Sequence, residues 1–150
     1  MTKTGITIAM ASDHGGFSMK EFIKQKLENQ GYKIKDFGTY SEDSVDYPDF
    51  IHPLASEINK GKIEKGIIMC GSGNGAQMTA NKYPNVRAAL CWDKEQTVLT
   101  RQHNNANILS LPGRFIPFEK AWEMVQLFLS TEFEGGRHKL RIEKIAQILK

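Results

Sequence analysis

Cys70 stands where a short apolar stretch, Gly66-Ile-Ile-Met69, meets Gly71-Ser-Gly-Asn-Gly75. Glycines at 71, 73 and 75 let the backbone take positive φ and let a ligand approach it closely. A loop of this kind, feeding a helix from about Gly75, aims several N–H groups at one point, with roughly half a positive charge from the helix dipole behind them. The result is a cradle for an anion with a thiol at its lip. An unperturbed thiol titrates at about pH 8.5, and a helix N terminus lowers that toward neutrality, which suits a general base. The plainer reading of a cysteine at a strand end is a small buried hydrophobe. The loop is what favours chemistry at Cys70, whereas Cys91, inside an apolar run, is read as core.

Other groups could serve the same site. Asp13-His14-Gly15-Gly16 reads either as a capped turn or as a ligand-facing strand end whose histidine contacts an anion. Arg101-Gln-His-Asn-Asn105 is too polar for a buried turn, and it reads equally as an exposed, functional edge or, for His103, as a satisfied polar residue near a helix end. Arg137 and Arg141 are four apart and share one helix face, where guanidinium forks can grip phosphate oxygens or simply face solvent. His14, His52, His103 and His138 are scattered without carboxylates at metal-ligand spacing, so no metal site is expected. The loop also fits G-x-G-x-x-A through Gly71, Gly73 and Ala76, with Asp93 further on, which admits a nucleotide-binding module as a second reading. It lacks the Gly-Lys-Ser/Thr ending of a Walker loop. Ala76 stands where a cysteine phosphatase loop needs arginine.

The elements that position these groups follow from periodicity. Strands are expected at 6–11, 32–37, 66–69, 86–91 and 107–111. Helices are expected over 17–30 (stopped by Gly31), 48–60 (with Pro53 a break or kink), from 75, 94–101 (capped by Asp93), 117–130 and 137–149. This alternation implies βαβ units: a three-layer, Rossmann-like α/β fold with a five-stranded parallel sheet flanked by helices, as one domain over 1–150. Ligands bind beyond the carboxyl ends of such strands, where Asp13-His14, Cys70–Gly75 and Arg114 gather. His103 and Asn104, read as lying between the fourth helix and the fifth strand, are harder to place.

Composition narrows the function. Of 150 residues 40% are apolar, enough for one core, and a net charge of +3 argues against a nucleic-acid binder. No run approaches the roughly 20 apolar residues of a membrane span. The two cysteines without CxxC spacing and the start without a signal peptide are read as a reduced, cytoplasmic protein.

Taken together, Ser12-Asp-His-Gly-Gly16, Asp46-Tyr-Pro48, Cys70-Gly-Ser-Gly-Asn-Gly75, Ala80-Asn-Lys82, Arg101-Gln-His-Asn-Asn105 and Glu134-Gly-Gly-Arg-His138 with Arg141 resemble, in order, the type B ribose-5-phosphate isomerases. That superfamily also holds galactose-6-phosphate isomerase subunits. The resemblance implies interconversion of ribose 5-phosphate and ribulose 5-phosphate, or of a hexose phosphate such as allose or galactose 6-phosphate, without cofactor or metal. It implies that Cys70 moves a proton between C1 and C2 while the N–H groups of Gly71, Ser72, Gly73, Asn74 and Gly75 hold the enediolate. Ser72 relays the hydroxyl proton. His103, aided by Asp13, opens the sugar ring, and Asn104 binds a sugar oxygen. His14, Arg114, Arg137 and Arg141 fix the phosphate; Asp46 and Tyr47 line the site. It further implies a homodimer or homotetramer with the site between subunits and the C-terminal helix used in dimerisation. A branch of the family carries a glutamate base where this chain has Ala76, so this chain resembles the cysteine-base branch.

Overall fold

The computed structural model describes residues 5–148. Five strands, β1 (Thr7–Ser12), β2 (Lys33–Asp36), β3 (Lys65–Cys70), β4 (Ala88–Leu90) and β5 (Ile108–Pro112), form one parallel sheet in the order β2-β1-β3-β5-β4. The helices are α1 (Phe17–Asn29), α2 (Tyr47–Asn59), α3 (Asn74–Ala80), α4 (Lys94–Asn104), α5 (Phe118–Ser130) and α6 (Arg137–Glu143). The α/β, Rossmann-like expectation holds.

β1, β3 and β5 are buried along nearly their whole length because helices cover both faces. Alternation then sorts the side chains into two cores. Ile8, Met10, Ile67, Met69, Leu109 and Leu111 pack against Ile23, Leu27, Val125 and Phe128 of α1 and α5. Ala9, Ala11, Ile68, Cys70 and Ile108 face the other way, toward Ile51, Leu54, Ala55, Ala76 and Ala80 of α2 and α3. The alanines on this second face let α2 and α3 sit close to the sheet. Cys70 shares the parity of Ile68, so its side chain points under α3.

Several boundaries differ from the periodicity reading. α2 runs unbroken through Pro53, which lies on the exposed side of the helix, where the carbonyl it orphans can meet water. α4 continues to Asn104, so His103 and Asn104 are helical and do not lie in the following connection. Asp93 and Gln96 close a capping box at its start, and Asn105, at φ 47°, ends it in the left-handed conformation. α6 stops at Glu143 and gives way to a turn, shorter than the helix expected over 137–149; residue 149 lies outside the described residues. Among the described residues, no helix is long and apolar enough to cross a membrane.

A buried ion pair ties α1 to the end of β2. The Lys20 side chain is 0% exposed, and its Nζ donates to Asp36 Oδ1 at 2.8 Å and Oδ2 at 2.7 Å. Lys24 Nζ and the Gly38 N–H donate to the same carboxylate at 3.1 and 2.9 Å. Burial pushes the Asp36 pKa up, but the two ammonium groups and the Gly38 N–H outweigh it and leave the group below its ordinary 3.8. A depressed native pKa contributes stability above 3.8 that is lost as pH falls through the native value. Asp36→Asn is therefore expected to cost about 3 kcal/mol in denaturant unfolding at neutral pH. The gap to the unaltered protein should narrow as pH drops below 3.8. A gap independent of pH would show that the pair does not titrate this way.

Candidate active site

Three strand ends meet at the carboxyl edge of the sheet. Gly113 N donates to Cys70 O and Arg114 N to Gly71 O, both at 2.9 Å, which locks the β5 turn onto the β3 loop. A Cβ on Gly15 would lie 3.1 Å from Gly71 N, and one on Gly16 2.8 Å from Met69 O, so the β1 turn sits directly on the same loop. Only backbone without side chains allows this approach. Of the three loop glycines, Gly73 alone has positive φ, at 77°. Gly75 is needed for space, since a Cβ there would run into the Tyr47 ring, whereas one on Gly71 would meet the exposed Arg114 side chain at 3.3 Å, which can give way.

Cys70 is 4% exposed, and its Sγ accepts the Gly73 N–H at 3.1 Å, a contact that would also stabilise a thiolate. The Asn74 N–H is taken by Ser72 Oγ at 3.2 Å, and the Gly73 carbonyl is held by Ser110 Oγ at 2.7 Å. The cradle is therefore thinner than its glycine count implies. Gly73 serves the sulfur, Asn74 serves Ser72, and the N–H groups of Gly71, Ser72 and Gly75 are left for an oxyanion. Cys91 is 1% exposed, and burial pushes its thiol up to about 11, which keeps it inert.

Beside the loop, a cavity of about 570 Å³ is lined by Asp13, His14, Val45, Asp46 and Tyr47. Asp13 Oδ1 accepts the Gly16 N–H at 3.1 Å, so the capped-turn reading holds for this residue. His14 Nδ1 accepts the Val45 N–H at 3.1 Å. That bond fixes the tautomer of the neutral ring, leaving Nε2–H as a donor. Arg114, exposed, lies over Gly15 and Gly71 at the mouth. Asp93, the acidic residue of the dinucleotide reading, has its carboxylate on Gln96 N as the α4 cap, so nothing favours that reading.

The remaining candidates sit elsewhere. In a parallel sheet, a helix returns the chain to the amino edge, and His103 and Asn104 occupy the last turn of α4, just before β5 begins. Gly66 N donates to Asn107 O at the amino end of the β3–β5 pair, while Gly113 N donates to Cys70 O at the carboxyl end. From Gly66 to Cys70 the strand advances about 13 Å. His103 and Cys70 thus lie beyond opposite edges of one sheet. Arg137 and His138 go with His103. The His103 and His138 rings stack with centroids 4.4 Å apart and planes at 12°, and Glu134 Oε1 stands 3.8 and 3.7 Å from their Nε2 atoms. Arg141 follows one turn on, exposed.

Two expectations need correction. Arg101 is buried: its guanidinium donates to Thr131 O, Asn105 Oδ1 and Ala106 O, while Asn104 is exposed and Gln102, His103 and Asn105 are half-buried. The scattered histidines are not all isolated, because folding brings His103, His138 and Glu134 to within 4.8 Å. Glu134 was missed as a site residue. Its spacing of four from His138 was the available signal, weakened by the intervening Gly135-Gly136.

With this geometry in hand, comparison with known proteins is informative. A sequence profile of the Ribose/Galactose Isomerase family matches residues 8–145. Ribose-5-phosphate isomerase B of Escherichia coli (strain K12) is 37% identical over 141 residues, 94% of this chain and 95% of its own. The crystal structure of a ribose 5-phosphate isomerase from Thermotoga maritima is similar with a TM-score of 0.94 at 48% identity, covering 96% of this chain and 99% of that one. Ribose-5-phosphate isomerase B from Mycoplasma genitalium, solved with bound ribulose-5-phosphate, is similar with a TM-score of 0.91 at 39% identity, covering 96% of both chains.

The Tyr47–Gly75 contact gives a direct test of how the loop is held. Gly75→Ala is expected to cost about 1–3 kcal/mol by overpacking. Tyr47→Ala in the same chain should recover most of that loss, whereas Tyr47→Phe, which keeps Cζ, should not. Additive losses in a double-mutant cycle would mean the ring does not constrain the loop.

Proposed function

The chain belongs to the ribose/galactose isomerase family, and from that membership we propose that it interconverts D-ribose 5-phosphate and D-ribulose 5-phosphate. The observation that carries the mechanism is the Cys70 sulfur, which accepts the Gly73 N–H where the glycine loop enters α3.

His103 opens the furanose ring by exchanging a proton with the ring oxygen and the anomeric hydroxyl, with Asp13 assisting. In the open-chain aldose, the Cys70 thiolate takes the proton from C2, and the electron pair moves to the C1 carbonyl oxygen. The N–H groups of Gly71, Ser72 and Gly75 hold the resulting enediolate by preorganised dipoles. Ser72 carries the hydroxyl proton from O2 to O1, and Cys70 returns its proton to C1, leaving a ketone at C2. Asn104 binds a sugar oxygen, and Asp46 and Tyr47 line the cavity. The His14 Nε2–H, Arg114, Arg137 and Arg141 fix the phosphate.

One chain cannot bring all these groups together, because Cys70 and His103 face away from each other across the sheet. We therefore assign His103, Asn104, Arg137 and Arg141 of each site to a second copy, so that the working unit is at least a dimer of a single-domain chain. Exposed Leu140, Ile145 and Ile148, at and beyond α6, offer apolar surface for that contact. The two free cysteines suit a reducing cytoplasm, and the reaction belongs to the non-oxidative interconversion of pentose phosphates.

Two outcomes check this reading. Cys70→Ala should lower turnover of ribose 5-phosphate by at least about 100-fold, the contribution of a positioned base, with an unchanged circular dichroism spectrum. Turnover near that of the unaltered protein would remove Cys70 as the base. Co-expressing Cys70→Ala with His103→Ala chains should restore about a quarter of full activity, since half of randomly paired dimers regain one complete site. No recovery, with mixed dimers verified by mass, would place both groups in one chain.

A further inference from the structure

We propose that His103, Glu134 and His138 form a binding site for a divalent transition-metal ion of the zinc class. Their ligand atoms already lie within 4.8 Å of one another. Glu134 Oε1 faces both Nε2 atoms at 3.7 and 3.8 Å, outside hydrogen-bond length. An interposed ion closes such gaps, since donors about 2.1 Å from zinc in a tetrahedron stand about 3.4 Å apart. Two imidazoles and one carboxylate are a donor set that holds zinc and leaves a fourth position open.

The frame around the three residues is built. Glu134 N donates to Gln102 O at 3.1 Å, and Arg101 Nε to Thr131 O at 3.0 Å, so the segment carrying Glu134 is pinned to α4. His138 is buried, and its backbone N–H is held by Gly135 O. Arg137 and Arg141 oppose a cation here, but both are exposed and their field is screened by solvent, while Glu134 favours it. The near-parallel stack aims the in-plane lone pairs side by side. The ion must therefore draw His103 out of the stack, and that side chain, 40% exposed on the last turn of α4, has room to turn.

Coordination withdraws the His103 lone pair, so the bound ion is an inhibitor. This consequence rests on the ring-opening role assigned above; the binding itself does not. The test uses the intact protein with zinc, followed by calorimetry and by the imidazole proton resonances, and with cobalt(II), followed by visible absorption. One zinc per chain is expected, with the His103 and His138 resonances moving together and tetrahedral cobalt bands free of thiolate charge transfer. Glu134→Gln and His138→Gln should each weaken zinc binding by more than about tenfold, the smallest loss that even outer-shell changes cause. Unmoved resonances in the unaltered protein, equal affinity in both variants, or a thiolate band placing the ion on Cys70 would overturn the site. Loss of turnover in step with occupancy supports the inhibitory consequence. Undiminished turnover with both resonances shifted overturns that consequence and the role of His103, and leaves the binding result standing.

Discussion

Every strand of a parallel sheet points the same way, and in this chain that constraint decides where each chemical group goes. Residues that follow a strand arrive at one edge, and residues that end a helix arrive at the other. Cys70 ends β3, and Asp13, His14 and Arg114 follow β1 and β5. His103 and Asn104 end α4, and Arg137 and His138 begin α6, which packs beside it. The two sets cannot be joined by adjusting a loop, because the β3–β5 ladder stands between them. A reaction that needs a base from one set and an acid from the other needs two molecules. For the proposed reaction assembly is part of the chemistry, and weakening the contact between copies separates the proposed acid from the proposed base.

Within the carboxyl-edge set, the governing requirement is close approach of backbone. The β1, β3 and β5 turns touch through Gly15, Gly16 and Gly113, where side chains would press against main chain. Dense packing there holds the Cys70 sulfur against the Gly73 N–H, and that N–H is supported in turn because Ser110 holds the Gly73 carbonyl. An oxyanion site assembled from such N–H groups costs no reorganisation when charge develops, which is where its catalytic value lies. The Lys20–Asp36 pair belongs to the same frame. It anchors the first turn of α1 to the end of β2, and from there the chain runs on to Asp46 and Tyr47.

Much of this was legible in the residues. Alternating apolar strands and helices with clear stops, such as Gly31 and the Asp93 cap, define the fold because local preference and burial agree. The turn after Cys70 was legible as a strand-to-helix junction because its glycines stand between an apolar run and a helix start. What escaped has physical reasons. Pro53 carries no sign that its exposed face rescues the helix. Arg101 looks like surface chemistry until the carbonyls that bury it are known. The C-terminal periodicity continues past Glu143, while the helix does not. The stacked histidines and Glu134 come from segments about thirty residues apart and meet only through the packing of α6 on α4. The opposition of Cys70 and His103 follows from the parallel order, because the end of α4 and the connection into β5 both lie at the amino edge.

The measurement that bears most directly on the central claim is a crystal structure of the protein with ribulose 5-phosphate bound. The account predicts C1 and C2 of the sugar about 3.5 Å from the Cys70 sulfur of one copy, the near-attack separation. It also predicts His103 of another copy at the far side of the same sugar. A sugar with those carbons remote from Cys70, or one enclosed entirely by residues of a single chain, would contradict it.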